Sequence, residues 1–302
     1  MYILMLGPNQ IKRYNWGHQL FRNEIGRQHD VVYYGTGFPK YDAKLSAKDI
    51  IKKHCKRKPD IILTYGWRYT LPFVGISEVD DVLKIHIAVD YVSNPPKYNK
   101  LLQKHGGYDI IFGITGRATE AMKKHKACER IYLLPFSVDT NIYKKIKVAK
   151  KYDVFASYAI RRDIYPGRRK LRTIAKKMRL KVMTKRVVHH QLVRAINGSK
   201  IAVTHNNIYK SLSLKYTETL ACGTFFLANM PEDLDILGLQ NGKHLVIYND
   251  FEDFKDKLEY YLKHAKEREQ IANKGMRFVR KNHSCKKRVQ QLTQIIKEEF
   301  NI

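Results

Sequence analysis

The chain has 302 residues, enough for two domains that each bury a core, and its apolar content of 44% marks a globular protein. Its 57 Lys and Arg against 28 acids give a formal net charge of +29, far beyond what solubility asks, so a polyanionic partner or surface is expected. No apolar run reaches the about 18 residues of a membrane span, no basic leader with a cleavage site is present, and Cys55, Cys128, Cys222 and Cys285 form no Cys-x-x-Cys pair, which argues against a zinc site or disulfide framework and for a reducing cytoplasm.

Met1–Leu6 is an apolar strand ending at Gly7-Pro8-Asn9, followed by a polar segment and a helix through Leu20, Phe21 and Ile25. Further strands are predicted at Val31–Tyr34, Asp60–Gly66, Val82–Val89 and Tyr108–Ile114, with a helix over Ala47–Cys55. This alternation predicts a parallel sheet with helices on both faces, whose ligands sit beyond the carboxyl ends of the strands. The loops there are Gly7–His18, Tyr65–Tyr69 and Asp90–Tyr98. Ile131–Leu134 precedes Pro135, and the lysine-rich Lys144–Lys151 reads as a linker between domains 1–146 and 147–302. A new strand starts at Tyr152, a basic helix at about Arg168, and a further strand covers Ser199–Thr204. Beyond Leu245–Tyr248, Phe251–Lys281 is mostly helical, and Cys285–Phe300 carries Val289, Leu292, Ile295 and Ile296 as an apolar stripe. The charge is uneven: residues 151–200 hold fifteen basic side chains and only Asp153 and Asp163 as acids, so a concentrated basic face is expected.

The richest stretch is Leu214–Ala228. Leu214, Thr217, Leu220 and Ala221 fall on one helical face, Gly223 supplies the left-handed end, and Phe225–Ala228 is short enough for a buried strand. Lys215 and Glu218 therefore sit near the start of a short helix. Helix N-termini attract phosphate, a lysine adds charge, and a glutamate one turn on can accept two hydrogen bonds from a ribose diol. The competing reading is a core helix bearing a surface Lys–Glu pair worth a few tenths of a kcal/mol.

The segment Lys215-Tyr216-Thr217-Glu218-Thr219-Leu220-Ala221-Cys222-Gly223-Thr224 resembles the donor-site segment of GT-B glycosyltransferases, particularly the group 1 and CgeB-like branch. Leu134-Pro135, Val138-Asp139 and Tyr143 resemble the end of that family's first domain, and Tyr152-Asp153-Val154 the opening strand of its second. The resemblance covers most of residues 108–300, while 1–107 matches as a generic α/β half. It implies a GT-B fold: two Rossmann-like domains facing across a cleft, the first binding acceptor and the second a nucleotide-sugar such as a UDP-sugar, with the last helix crossing back to the first domain. By position Glu218 takes the ribose, with Lys215, Thr217 and Arg168 near the diphosphate and Tyr158 and Ser157 at the strand-end turn. Arg168 also fits a solvated helix face, and the last two an ordinary turn. One departure is Lys210, which stands where many retaining members carry a second glutamate, so the retaining mechanism is not inherited.

An acceptor hydroxyl needs a general base. Asp90, ending the strand Lys84–Val89, is the first candidate and His18 the second, because some GT-B enzymes place a catalytic histidine there; a helix cap and a polar surface residue are the competing readings. His86 faces the sheet and reads as a packed histidine. No Asp-x-Asp pair occurs, helix dipoles and basic groups serve the leaving diphosphate in this fold, and neither metal nor cofactor is expected. Tyr14, Trp16, Trp67 and Tyr69 lie in first-domain loops where they could stack on a base, on a sugar, or fill a core. Of the polyanions that fit the charge, DNA is favoured over an anionic membrane surface, because no helix joins a basic face to Trp and Phe. Some viruses modify their own DNA with GT-B enzymes that glycosylate hydroxymethylated pyrimidines, and this chain is similar in build. The alternatives are transfer to a lipid-linked or cell-surface anionic glycan, and a non-catalytic nucleic-acid-binding protein on a GT-B scaffold.

Overall fold

The computed structural model of the protein describes residues 1–11, 16–66, 73, 75–89, 91–105 and 107–301. Two compact units divide the chain: Met1–Pro135 with Val289–Ile302, and Phe136–Arg288.

The first unit is a parallel sheet of six strands, β1 (Tyr2–Leu6), β2 (Asp30–Tyr34), β3 (Ile61–Gly66), β4 (Leu83–Ala88), β5 (Ile110–Gly113) and β6 (Ile131–Leu133), in the order β2-β1-β3-β4-β5-β6. Every residue of β1 and β3 is buried, as helices on both faces of a parallel sheet require. The crossover helices are α1 (Trp16–Gln28), α2 (Ala47–His54), α3 (Pro95–His105) and α4 (Gly116–Lys124). Ser46 starts α2 with a reciprocal capping box to Asp49. The loop expected up to Tyr98 is shorter than the sequence implied. It ends at Pro95, where α3 begins, because proline fits the first helical turn that has no amide partner to lose.

The second unit is a five-stranded parallel sheet in the order β11-β10-β9-β7-β8, with β7 (Tyr152–Phe155), β8 (Val182–Met183), β9 (Ser199–Thr204), β10 (Phe225–Asn229) and β11 (Val246–Tyr248). Its helices are α5 (Pro166–Lys177), α6 (His189–Asn197), α7 (Leu214–Ala221), α8 (Phe251–Lys263) and α9 (Ala265–Asn282). Val154, Leu171, Ile201, Phe225, Phe254 and Leu258 form its core. Residues 144–151 belong to this unit, where Lys150 donates to the carbonyls of Asn197 and Ser199 at 2.8 and 2.9 Å.

The final helix, α10 (Cys285–Phe300), runs from the second unit into the first. Val289, Leu292 and Ile296 are buried, His29 Nε2 lies 2.9 Å from Thr293 Oγ1, and Glu299 accepts from Arg130 and from Tyr132. The expected return of the last helix to the first unit is what the apolar stripe produces. Among the described residues no helix is long and apolar enough to cross a membrane.

Candidate functional site

The second unit gathers its chemistry at the carboxyl ends of β7 and β9 and the start of α7. Gly223, at φ 68°, ends α7 as its sequence requires, its amide bonded to Leu220 O at 2.9 Å, and β10 follows directly. The rest of α7 is sunk in the core: Tyr216, Thr217, Leu220 and Ala221 are fully enclosed. Ser213, the N-cap residue, makes no side-chain cap, so its hydroxyl does not occupy the first amides of the helix.

Glu218 is buried, and its Oε1 accepts a 2.9 Å hydrogen bond from the hydroxyl of Tyr143, itself wholly buried. Burial pushes the Glu218 carboxyl up, while the charge of Lys215 and the Tyr143 bond pull it back. Lys215 keeps part of its side chain at the surface, yet its ammonium is enclosed. Burial, aided by the charges of Arg168 and Arg186, lowers its pKa to about 8 against the support of Glu218. The Lys215 ammonium thus faces two further cations against the one carboxylate of Glu218, a surplus of positive charge that an anion would relieve.

The turn after β7 is held from α5. Arg168 is buried, with its guanidinium 3.6 Å from the centre of the Tyr165 ring and 5.1 Å from that of Tyr158, and it donates to the carbonyls of His205 and Ala159 at 2.9 and 3.2 Å. The solvated helix face weighed for Arg168 is thereby corrected, since aromatic faces and strand-end carbonyls draw the side chain inward. Arg172 braces the same turn through Ala156 O and Tyr158 O, at 2.6 and 2.9 Å. Ser157 donates to Lys185 O at 2.7 Å, Tyr158 to Arg168 O at 3.4 Å, and Thr217 to Leu214 O at 3.1 Å. These three hydroxyls are engaged with backbone. Lys210 sits exposed at φ 49° in the loop before α7.

In the first unit His18 is buried on α1, its Nδ1 2.8 Å from the hydroxyl of Tyr65, and burial lowers its pKa to about 4. The polar surface position weighed for it does not hold. Arg22 lies beneath, donating to Pro8 O and Gln19 Oε1 and ringed by Tyr33, Phe38 and Tyr65. Trp16 is buried at the head of α1. His86 is enclosed on β4 with Thr64 Oγ1 at 2.7 Å and the Tyr98 hydroxyl at 2.9 Å, a packed histidine. Asp90, Tyr14, Trp67 and Tyr69 lie outside the described residues. Among the described residues no three His, Cys, Asp or Glu side chains converge on a common ion position.

Sequence reasoning thus brought Lys215 and Glu218 together and added Arg168 near them. It passed over Arg172, Arg186 and the contact of Tyr143 with Glu218. Tyr143 carried a signal as the aromatic residue after Val138-Asp139, but its partner lies 75 positions away.

Residues 161–294 match the family described as glycosyl transferase-like. No curated protein sequence matches the chain. Among solved structures it is similar to HepE of Anabaena in complex with UDP and glucose, with a TM-score of 0.74 at 12% identity over 99% of this chain and 100% of that one. Sucrose-phosphate synthase of Thermosynechococcus elongatus matches with a TM-score of 0.66 at 11% identity over 99% of each chain. An alpha-glucosyltransferase bound to UDP and a 13-mer DNA containing an HMU base matches with a TM-score of 0.66 at 10% identity over 98% of each. The fold shared with these structures is GT-B, with two parallel-sheet α/β units.

Proposed function

We propose, on the premise that this chain is a glycosyltransferase of the GT-B fold using a nucleotide-sugar, that Lys215 and Glu218 grip the donor and that the acceptor is a hydroxymethylated pyrimidine in DNA. The carrying observation for the donor is the buried Glu218 beside an enclosed ammonium at an uncapped helix start, with the charges of Arg168 and Arg186 adding to it. A carboxylate there accepts from the ribose hydroxyls, and the cations with the α7 amides carry the charge that grows on the diphosphate as it leaves. Arg168, Tyr158, Ser157 and Thr217 belong to this grip as its frame, because their polar groups fix the backbone around it. A UDP-sugar is the donor we favour, since HepE holds UDP and glucose on this fold.

The bond from the acceptor oxygen to the sugar forms as the bond from the sugar to the diphosphate breaks, and a base takes the hydroxyl proton. Asp90, which follows Val89 after β4, is our first choice for it. His18 is the second: with its pKa near 4 it is neutral at pH 7 and able to accept. Trp16, Tyr14, Trp67 and Tyr69 stay assigned to the acceptor side.

DNA is favoured by the net charge of +29 and by the exposure of Arg161, Arg162, Arg169, Lys170, Lys176 and Lys177 on and just before α5. The neighbour that carries an HMU-containing DNA lends this fold a precedent. The CgeB-like affinity and an origin in a virus that modifies its own DNA belong to the same reading, as does a cytoplasmic setting, in keeping with four free cysteines.

The test offers UDP-sugars with duplexes containing plain or hydroxymethylated pyrimidines to the parent protein and to Glu218→Ala. Transfer to modified DNA alone, with donor binding lost in the variant, is expected. Donor hydrolysis without transfer to DNA would move the acceptor to a glycan or lipid, and DNA binding without donor affinity would make the chain a binder.

A further inference from the structure

Tyr143 is one of the largest wholly buried side chains, and a buried phenol must find a hydrogen-bond partner. Its hydroxyl reaches Glu218 Oε1 at 2.9 Å across 75 positions of sequence. The backbone that delivers it is fixed at several points. Tyr143 N–H donates to Asp139 O at 2.8 Å, Asn141 N–H to Asp139 Oδ1 at 2.9 Å, and Arg280 of α9 to the carbonyls of Thr140 and Tyr143 at 3.0 and 3.2 Å. The phenol therefore arrives as a rigid donor aimed at a carboxylate that sits on a buried helix.

A ribose diol is recognised by a carboxylate only if its plane is set and its charge kept, and both oxygens rotate freely unless something holds them. We propose that Tyr143 is a positioning residue for the donor site: its hydroxyl holds Oε1 of Glu218 so that the carboxylate plane is preset for the ribose hydroxyls of the nucleotide. This rests on the assignment of Glu218 to the ribose. It goes further in saying which group sets the carboxylate, and that an aromatic ring alone at this position would not suffice.

The groups facing Glu218 also fix the pH response. They are Lys215 on the same helix, Tyr143 from the segment before β7, Cys222 at the helix end, and, around Tyr143, Cys285 and Arg280. Burial holds the Glu218 carboxyl above its ordinary range, and Tyr143 opposes that rise. Loss of the hydroxyl moves the carboxyl further up, so donor affinity fails at a higher pH as the solution is acidified.

The experiment compares binding of UDP and of 2′,3′-dideoxy-UDP to the parent protein, Tyr143→Phe, Glu218→Gln and the double variant, over a range of pH. Phenylalanine keeps the ring, and a merely structural loss weakens both nucleotides alike, leaving their affinity ratio unmoved. The expected result is a ratio reduced about tenfold in Tyr143→Phe, the size of one hydrogen bond to a charged group, with the acid limb shifted upward and the double variant no worse than Glu218→Gln. A parental ratio and pH profile in Tyr143→Phe, with the ratio lost in Glu218→Gln, would overturn the proposal and leave the donor assignment standing. A ratio unchanged in Glu218→Gln would overturn both.

Discussion

Lys215 illustrates how much a single side chain decides. Its ammonium titrates near 8 because burial and the neighbouring Arg168 and Arg186 disfavour the charge. If Lys215 meets the donor diphosphate as proposed, that contact needs the protonated form, which prevails below that value and is lost as pH rises through it. UDP affinity in the free enzyme should therefore weaken up to about tenfold per pH unit above about pH 8. Calorimetric titration between about pH 6 and about pH 10 checks this, with Lys215→Met expected to bind weakly at every pH and to lack the break. Glu218 and Lys215 were legible because their spacing on a short helix before a glycine is a local signal. Arg168 was legible as near the site but not as buried, since the rings that enclose it, Tyr158 and Tyr165, declare nothing in sequence about facing it. Tyr143 was invisible as a partner because only the fold brings it to Glu218.

At the level of elements, α7 holds its place through α9. A Cβ on Gly275 would collide with the His244 carbonyl and come within 3.0 Å of Leu220 Cδ2, so the helix touches both the approach to β11 and the core face of α7 through a bare backbone. Gly275→Ala should cost about 1–3 kcal/mol. Because α7 carries Lys215 and Glu218, UDP affinity should fall with it; thermal melting and UDP titration measure the two losses together. The long elements of both sheets were readable from apolar runs and helical spacing. The misses were short or disguised: β8 has two residues, α6 opens on two histidines, and α3 begins on Pro95-Pro96, a pair that reads as loop until its place in the first helical turn is seen.

For the whole molecule, charge is the dominant fact. If the basic surface of α5 meets a DNA backbone, affinity is set by counterion release and should drop about a thousandfold or more between about 50 and about 200 mM salt if about six phosphates are contacted. Binding of a labelled duplex at graded salt measures the slope, and Lys176→Glu with Lys177→Glu should flatten it by about one unit per lost contact while leaving UDP affinity in place. A slope near zero would remove DNA as the partner. The division of the chain holds another consequence. The second unit is one continuous stretch, Phe136–Arg288, whereas the first closes only with Val289–Ile302. On the ribosome the usual order is therefore reversed: the downstream half has all its residues in hand while the upstream half still waits for its last helix, and the first unit is the later to mature.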